Sequence, residues 1–268
     1  MSDIILSLAP TGPFGKAHNN PITLDELVTT AIECYTAGAS VIHLHARDVA
    51  GNLTTDMTLL GETFAGIRQN SEMLIEASTG GLSDFTVEER GLPTTVPGAA
   101  MGSLNLGSLN FGDQVYRNTP PAVEFWIDQM APFSVKPSLE IFDTGHLAFA
   151  RSLIDQERLT PPYNFSFIFN VKWGMMFSEN LLKYLISQLP SQSNWGVIII
   201  GSENFNDHIR AAGCGADMIR VGFEDSNLIN GKTVSSNVEL VSTLKALLEK
   251  QGCRIIQGAS AKNKLLTA

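Results

Sequence analysis

The amino-acid sequence predicts an α/β fold, a single-domain (β/α)8 TIM barrel that spans residues 1–268. Three observations favour this fold. Eight short apolar runs recur along the chain, helical patterns lie between them, and neither a Gly-x-Gly-x-x-Gly motif after the first run nor a P-loop is present. Eight strands that alternate with helices are typical of a closed parallel barrel. A doubly wound open sheet is the alternative, but it usually has fewer strands and a phosphate-binding glycine motif.

The eight predicted strands are short runs of apolar residues, and several of them are rich in β-branched residues. Such runs are typical of strands that are covered on both faces of a parallel sheet. The intervals between the runs leave room for a helix and its connecting loops. The runs cover residues 4–10, 40–46, 73–79, 102–108, 137–143, 165–171, 196–202 and 218–224.

Amphipathic patterns predict helices between these strands. The clearest cover residues 23–38, 180–189 and 237–252. The first begins with Thr23 and has Glu26 three residues later, which is the pattern of a capping box. It ends at Gly38, and glycine is the usual residue immediately after a helix.

The composition indicates a globular protein with a large core, because 44% of the 268 residues are hydrophobic and 17% are charged. The formal net charge of −9 argues against general binding to nucleic acids or to anionic membranes. The three cysteines are far apart and form no Cys-x-x-Cys motif, so we expect reduced thiols. No signal-peptide pattern or membrane-length apolar run occurs. We therefore expect a soluble cytoplasmic protein.

The run at residues 40–46 contains two histidines, although it otherwise has the composition of a buried strand. Because side chains alternate along a strand, Ile42 and Leu44 share the face toward the helices. His43 and His45 share the other face, near the carboxyl end of the strand, with Cα atoms about 6–7 Å apart. Active-site residues of such barrels lie at this end. The pair indicates a metal site, and core histidines that bond to neighbouring protein groups are the alternative.

The eighth run can complete a metal site, because the last strand of a closed barrel lies beside the first. Arg220, Gly222 and Glu224 share its inward face, and we expect Gly222 to leave space for a ligand. Two histidines and one carboxylate are a common ligand set for Zn²⁺, and also for Fe²⁺ or Mn²⁺. Glu224 is equally consistent with an ion-pair partner of Arg220. The remaining histidines follow no ligand spacing, and we expect surface or supporting positions for His18, His146 and His208.

Polar residues also follow two other predicted strands. Ser78 and Thr79 precede a glycine pair that begins at Gly80, and the backbone N–H groups of such a pair can contact an anion. Anion binding and ordinary turn formation are both consistent with this pattern. The segment 104–113 adds three polar side chains, those of Asn105, Ser108 and Asn110.

The chain contains, in this order, "GASVIHLHARD", "ASTGG", "SLNLGSLNFGD" and "IRVGFED". This set resembles the β-keto acid cleavage enzymes, the family of 3-keto-5-aminohexanoate cleavage enzyme. The segments "APTGPFGKAHNNPITLDE", "KPSLEIFDTGHL" and "KTVSSNVELV" are similar to further motifs of that family, so the resemblance covers nearly the whole chain. The combination of "HLHARD" with "RVGFED" is its most specific part.

The resemblance implies a (β/α)8 barrel that is usually a homotetramer and binds a divalent metal ion, typically Zn²⁺. It also implies a reaction in which a β-keto acid and acetyl-CoA give acetoacetate and a new acyl-CoA. We therefore expect the β-keto acid and acetyl-CoA as the partners of this protein. The Lewis acidity of a metal ion suits a reaction that forms a carbanion beside a carbonyl group.

The resemblance also assigns site residues. Arg220 and Asp225 match the catalytic pair of the family. Ser78 and Ser108 match positions that hold the substrate carboxylate, and we expect their neighbours Thr79, Gly80 and Asn110 to contribute to substrate binding. The implied metal ligands are His43, His45 and Glu224.

The chain departs from the family pattern at several positions. Ser138 stands where the family commonly has Glu, and Phe14 or its neighbour stands where the aminohexanoate enzyme has an acidic residue. The loss of that acid favours an apolar or other tail over an amino-bearing one. The segments 170–180 and 199–203 also differ, which predicts an altered substrate pocket. Two alternatives stay open: another metal-dependent barrel enzyme, such as an aldolase or acyl-CoA lyase, and a non-catalytic ligand-binding barrel.

Overall fold

The computed structural model describes residues 2–12, 19–81 and 83–267. Within these ranges eight parallel strands form a closed barrel, which confirms the predicted (β/α)8 fold. Each predicted run overlaps one strand. The strands are β1 (Asp3–Leu8), β2 (Ala39–Leu44), β3 (Leu74–Ala77), β4 (Ala99–Asn105), β5 (Lys136–Ile141), β6 (Tyr163–Phe169), β7 (Ser193–Ile199) and β8 (Met218–Val221).

Helices connect the strands and cover the outside of the barrel, and the last helix packs against its amino end. They are α1 (Leu24–Ala37), α2 (Thr58–Asn70), α3 (Val87–Gly91), α4 (Pro120–Met130), α5 (Thr144–Asp155), α6 (Glu179–Ser187), α7 (Asn206–Gly213), α8 (Asn237–Lys250) and α9 (Gly258–Leu266). Short 3-10 helices cover Leu92–Thr95 and Ala131–Phe133. None of the helices in the described ranges combines the length and the apolar composition that crossing a membrane requires.

The first helix begins and ends as its sequence predicts. The Thr23 hydroxyl accepts a hydrogen bond from the Glu26 N–H, and the Glu26 carboxylate accepts one from the Thr23 N–H. This reciprocal pair satisfies two of the N–H groups that a helix start leaves without intrahelical partners. Gly38 follows the helix with φ +128°, a conformation that favours glycine, and its N–H closes the last turn on Cys34 and Tyr35.

Three small antiparallel or edge pairings stand apart from the eight barrel strands. Leu109–Phe111 pairs with Gln114–Tyr116 in a hairpin directly after β4. Leu228–Ile229 pairs with Lys232–Thr233 after β8. Arg254–Ile255 pairs in parallel with the first two residues of β1. All three cysteines of the chain, Cys34, Cys214 and Cys253, are free thiols, as expected.

The register of the strands decides which side chains meet inside the barrel. β1 pairs with β8, and Ser7 lies beside Arg220, which closes the barrel. His43 on β2 lies beside Glu76 on β3. Asn105 on β4 lies beside Glu140 on β5. Parallel pairing therefore places charged and polar residues of several strands at one level, near the carboxyl ends of the strands.

The core has separate layers inside and outside the barrel. The outward-facing strand residues, including Ile42 and Leu44, pack against the helices in one large apolar cluster, as their alternation predicts. The inward-facing residues at the amino end of the barrel, such as Ile5 and Val41, form a second cluster with α9. The amino end is thus filled by apolar side chains, and the polar residues lie nearer the carboxyl end.

Candidate active site

Three potential metal ligands meet at the carboxyl end of the barrel. His43 lies near the end of β2, His45 follows that strand, and Glu224 lies in the turn after β8. One ligand atom from each residue lies within 4.8 Å of the others. The structure therefore brings together two histidines and a carboxylate that are nearly 180 residues apart in the sequence.

The turn after β8 corrects one expectation. The strand ends at Val221, and Glu224 lies in the turn that follows it. The N–H group of Glu224 donates a hydrogen bond to the Ala9 carbonyl (3.1 Å). Gly222 has φ +146°, and a Cβ at this position would overlap the carbonyl of Ala9. The expectation that Gly222 leaves space for a ligand is therefore wrong. Glycine is needed here because the turn passes too close to the backbone after β1 for any side chain.

The three residues fit a divalent cation. Their side chains are only 3%, 5% and 11% exposed for His43, His45 and Glu224. His45 Nε2 and Glu224 Oε2 are buried 3.4 Å apart without a hydrogen-bond partner. A buried polar atom without a partner costs about 1–3 kcal/mol. A cation held between imidazole nitrogens and a carboxylate oxygen would satisfy both atoms, and this donor set suits Zn²⁺.

Glu76 orients the first of these histidines. Its Oε2 lies 2.7 Å from His43 Nδ1, and both side chains are buried. Because an ionised carboxylate only accepts hydrogen bonds, Nδ1 carries a proton, and the neutral form of His43 therefore has its lone pair on Nε2, which faces Glu224. Carboxylates commonly hold metal-binding histidines in this way. Glu76 is not among the predicted site residues, although it is a charged residue inside an apolar strand.

The two histidines differ in their proton affinity. Burial opposes protonation of His43, but the negative charges of Glu224 and Glu76 outweigh burial and raise its pKa. For His45 burial is the largest effect and lowers the pKa. A neutral imidazole is the form that binds a metal ion.

Arg220 forms a fork with the carboxylate of Asp225. Its Nε lies 3.0 Å from Oδ2 and its Nη2 lies 2.6 Å from Oδ1, and both residues are buried. The same Nη2 lies 3.3 Å from Glu224 Oε1. Glu224 faces the histidines and also pairs with Arg220, so its position is consistent with both of the alternatives that the sequence left open. A bidentate pair of this kind fixes the plane of the guanidinium group.

A cavity of about 400 Å³ opens beside these groups at the carboxyl end of the barrel. His43, His45, Glu224 and Arg220 line it. Its other polar lining residues among the described ranges are Asn20, Ser78, Asn105, Tyr116 and Glu140. The cavity therefore places a cationic side chain, hydroxyl groups and the potential metal ligands around one volume.

Glu140 is a further functional candidate that is not among the predicted site residues. It is an inward residue of β5, it is buried, and it lines the cavity. Burial raises the pKa of its carboxyl group to about 7. A carboxyl group with such a pKa can both accept and return a proton near neutral pH. The signal in the sequence is a charged residue between two apolar ones, Leu139 and Ile141, in the middle of a predicted strand.

The chain matches the model of a known family over nearly its whole length. The family model of the β-keto acid cleavage enzyme matches residues 3–266. The chain belongs to this family. The resemblance seen in its motifs is thereby confirmed, and so is the prediction that the protein is an enzyme, because the family is one of enzymes.

Two curated β-keto acid cleavage enzyme relatives match almost the full chain. The 3-keto-5-aminohexanoate cleavage enzyme of Acetoanaerobium sticklandii is 32% identical over 271 residues, which cover 99% of this chain and 98% of the relative. The 3-dehydrocarnitine:acetyl-CoA trimethylamine transferase of Rhizobium meliloti is 28% identical over 291 residues, which cover 98% and 96%. Both relatives are named for reactions of keto acids or their derivatives.

A solved structure supports the fold of this β-keto acid cleavage enzyme family member. The ternary complex of ObcA with a C4-CoA adduct and oxalate aligns with a TM-score of 0.80 and 18% identity. The alignment covers 92% of this chain and 67% of that chain. At this identity the similarity shows a shared barrel fold.

The structure does not bring all of the residues expected from the family pattern to the cavity. Ser78 and Gly80 line it, whereas Thr79 is tied to β4 through its hydroxyl, which donates to the Ser103 carbonyl (2.6 Å). Ser108 and Asn110 are exposed and lie outside the lining. The chain leaves β4 after Asn105 and enters the hairpin, which carries these two residues away from the barrel interior.

The histidines expected at the surface or in supporting positions are buried where the structure describes them. His146 on α5 accepts a hydrogen bond from the Phe142 N–H at its Nδ1 (3.3 Å). His208 on α7 is buried without a hydrogen bond at Nδ1, and burial lowers its pKa to about 4. A surface position is therefore wrong for both. His18 and Phe14 lie outside the described residues.

The segments that depart from the family pattern contribute apolar groups to the cavity. Val171 belongs to the segment 170–180 and Ile200 to the segment 199–203, and both line the cavity. Ser138 is buried on β5 beside Ser103 of β4 and does not line it. The segments that depart from the family pattern thus form part of the wall of the cavity.

Proposed function

We propose that this protein is a Zn²⁺-dependent β-keto acid cleavage enzyme that converts a β-keto acid and acetyl-CoA into acetoacetate and a new acyl-CoA. The observation that carries the proposal is the set of His43, His45 and Glu224, with two buried ligand atoms that lack partners, beside a cavity lined by Arg220. Membership of the family supports the reaction type. Acetyl-CoA is proposed as the co-substrate because it appears in the name of the Rhizobium meliloti relative.

The metal ion would be held by His43, His45 and Glu224. When bound, it supplies Lewis acidity toward the oxygen atoms of the keto acid. The protein's own part begins with substrate orientation. The Ser78 hydroxyl accepts a hydrogen bond from the Gly80 N–H (3.0 Å), which leaves its proton free to donate to a substrate carboxylate.

Within this proposal Glu140 is the base that removes the C2 proton of the keto acid. Its carboxyl group lines the cavity and forms no ion pair with a cationic side chain of the described residues. Asp225 forms the fork with Arg220 and does not line the cavity, so it acts as the group that positions Arg220. Arg220 faces the cavity and compensates the negative charge that develops when C2 loses its proton.

The proposed reaction balances without any further reactant. Glu140 removes a proton from C2, and C2 forms a bond to the acetyl carbonyl carbon as the CoA thiolate leaves. The thiolate then attacks the original keto carbon, and the bond from that carbon to C2 breaks. C2 recovers its proton. The products are acetoacetate, which contains C2, the substrate carboxylate and the acetyl group, and an acyl-CoA that carries the tail.

Metal analysis combined with an acetoacetate assay tests this function. We expect the wild-type protein to bind about one divalent ion per chain and to form acetoacetate from a β-keto acid only when acetyl-CoA is present. An aldolase or acyl-CoA lyase would form its product without acetyl-CoA. The variant His43→Ala is expected to lose both metal and activity. His208→Asn changes a buried histidine outside the cavity and is the matched control, which should retain the metal.

Two results would contradict the proposal: a wild-type protein that binds no divalent ion, or a His43→Ala variant that keeps both metal and activity. Exchange of the C2 proton in D₂O tests the role of Glu140 separately. Glu140→Gln should reduce catalysed exchange to background while the metal content stays unchanged. The homotetramer and the cytoplasmic location remain predictions, which light scattering and cell fractionation check.

A further inference from the structure

We infer that the β-keto acid taken by this enzyme carries an uncharged, apolar substituent on its keto carbon. The inference rests on the proposed function and names the substrate class of the same cavity. It follows from the unequal distribution of polar and apolar groups along the cavity wall, from the position of the apolar part, and from the charges that surround it.

One side of the cavity is a continuous apolar surface, which we call the apolar wall. It belongs to a cluster separate from the main core, built on Phe142, Ile168, Val171 and Ile198 with Phe111 and Ile200 packed against them. The members that face the cavity are Phe111, Phe142, Ile168, Val171 and Ile200. They come from the ends of β5, β6 and β7 and from the hairpin after β4.

The strand register places the apolar wall next to the reacting end of the cavity. Glu140 on β5 lies beside Ser166 on β6. Ile168 is two residues further along β6, so it faces the same side about 6–7 Å nearer the mouth of the barrel. Ile168 lies beside Ile198 of β7. A substrate whose C2 lies at Glu140 can therefore extend the substituent of its keto carbon along the wall.

The titratable side chains of the described lining are not members of this wall. They are His43, His45, Glu140, Arg220 and Glu224, and Arg220 is already paired with Asp225. No lysine or arginine side chain of the described lining belongs to the wall, and no carboxylate does either. A charged tail in contact with the wall would lose hydration without gaining an ion-pair partner, which is strongly unfavourable.

An apolar tail gains affinity in the same position. Each methylene group that the wall removes from water should improve kcat/KM about three- to fourfold, until the tail is longer than the wall. The relative from Acetoanaerobium sticklandii is named for a keto acid with an amino group in its tail. The wall of this chain therefore predicts a different tail chemistry on the same reacting group.

The test compares β-keto acids of different tails on the metal-loaded enzyme with acetyl-CoA. The apolar series is 3-oxopentanoate, 3-oxohexanoate and 3-oxoheptanoate, and the charged compounds are 3-oxoadipate and 3-oxo-5-aminohexanoate. We expect kcat/KM to rise about three- to fourfold for each added methylene. Both charged compounds should be at least about 100-fold poorer than the uncharged acid of equal length. Equal or better turnover of a charged compound would overturn the inference.

A pair of variants at Ile200 connects the preference to the wall. Ile200→Lys places a cation there and should raise the ratio of 3-oxoadipate to 3-oxohexanoate turnover by about tenfold or more. Ile200→Leu conserves size and apolar character and is the matched control, which should keep the wild-type order of substrates. An unchanged ratio in a folded Ile200→Lys variant also contradicts the inference.

Failure of the proposed function would look different. In that case none of the compounds would yield acetoacetate. Calorimetric binding of the same acids to the wild-type protein then provides the second measurement. Stronger binding with each methylene, with weak binding of the charged acids, supports an apolar-tail site even without turnover. The absence of this order overturns the inference whatever the reaction is.

Discussion

Replacing Glu76 by Gln should weaken metal binding by roughly 10–100-fold. The buried Glu76 carboxylate lies 2.7 Å from His43 Nδ1 and fixes the tautomer that aims Nε2 at the metal position. A hydrogen bond to a charged group contributes about 1.5–3 kcal/mol. The expected loss of affinity corresponds to about 1.4–2.7 kcal/mol, so the two magnitudes agree. Glutamine keeps the shape of the side chain but removes its negative charge.

The assay is a competition titration of the metal-free protein against a fluorescent zinc chelator near neutral pH. Glu62→Gln, which changes an exposed glutamate on α2, is the matched control and should bind zinc as the wild type does. Circular dichroism confirms that each variant folds. Glu76→Asp is a second variant that keeps the charge but withdraws the carboxylate, and it should give an intermediate loss.

Zinc affinity within about threefold of wild type in a folded Glu76→Gln variant would refute the reasoning. The hydrogen bond would then not select the tautomer of His43, and the contact between these two residues would serve only to satisfy a buried carboxylate.

Three further predictions concern the surroundings of the site. Arg90→Lys should lower kcat/KM about tenfold without loss of metal, because Arg90 holds the cavity residue Tyr116 by a hydrogen bond (3.2 Å) and by stacking on its ring. The neutral form of His208 stabilises the folded state fully above pH 6.5, and this stabilisation of up to about 3 kcal/mol is lost as the pH falls towards its folded pKa of about 4. In urea unfolding at a series of pH values, the free energy of unfolding of His208→Asn should fall less between pH 6.5 and about pH 4 than that of the wild type. Gly222→Ala should lower the free energy of unfolding by more than about 2 kcal/mol, because its Cβ overlaps the Ala9 carbonyl.

Each of these predictions has its own control. Arg158→Lys changes an arginine in a partly exposed ion pair and should leave kcat/KM unchanged, so equal effects at both arginines would argue against a positioning role for Arg90. A pH slope that is the same in wild type and His208→Asn would contradict the burial argument. Gly213→Ala introduces a Cβ with nothing within 4 Å and should be neutral or stabilising by up to about 1 kcal/mol. A Gly222→Ala variant as stable as this control would show that the turn can move.

Local patterns predicted the eight barrel strands and three of the helices. The capping box at Thr23 and the glycine at Gly38 gave the limits of α1, because capping depends on residues that are close in the sequence. The alternation of residues 40–46 predicted which side chains of β2 face the helices and which face the interior. The strand ends were less accurate, since turns such as those after Asn105 and Val221 depend on contacts with other strands.

The pairing of residues across strands was decided by the tertiary structure. Alternation turns His43 inward, but only the register of β2 with β3 sets Glu76 beside it, and only barrel closure brings Glu224 of the distant last turn to the same place. The hairpin after β4 places Ser108 and Asn110 outside the cavity lining, and the register of β5 places Glu140 in that lining. Periodicity fixes the face of a side chain, whereas its neighbours depend on long-range pairing that a single sequence does not encode locally. The sequence by itself thus determined the eight barrel strands, the limits of α1 and the inward histidines, and the closed barrel decided which groups they meet.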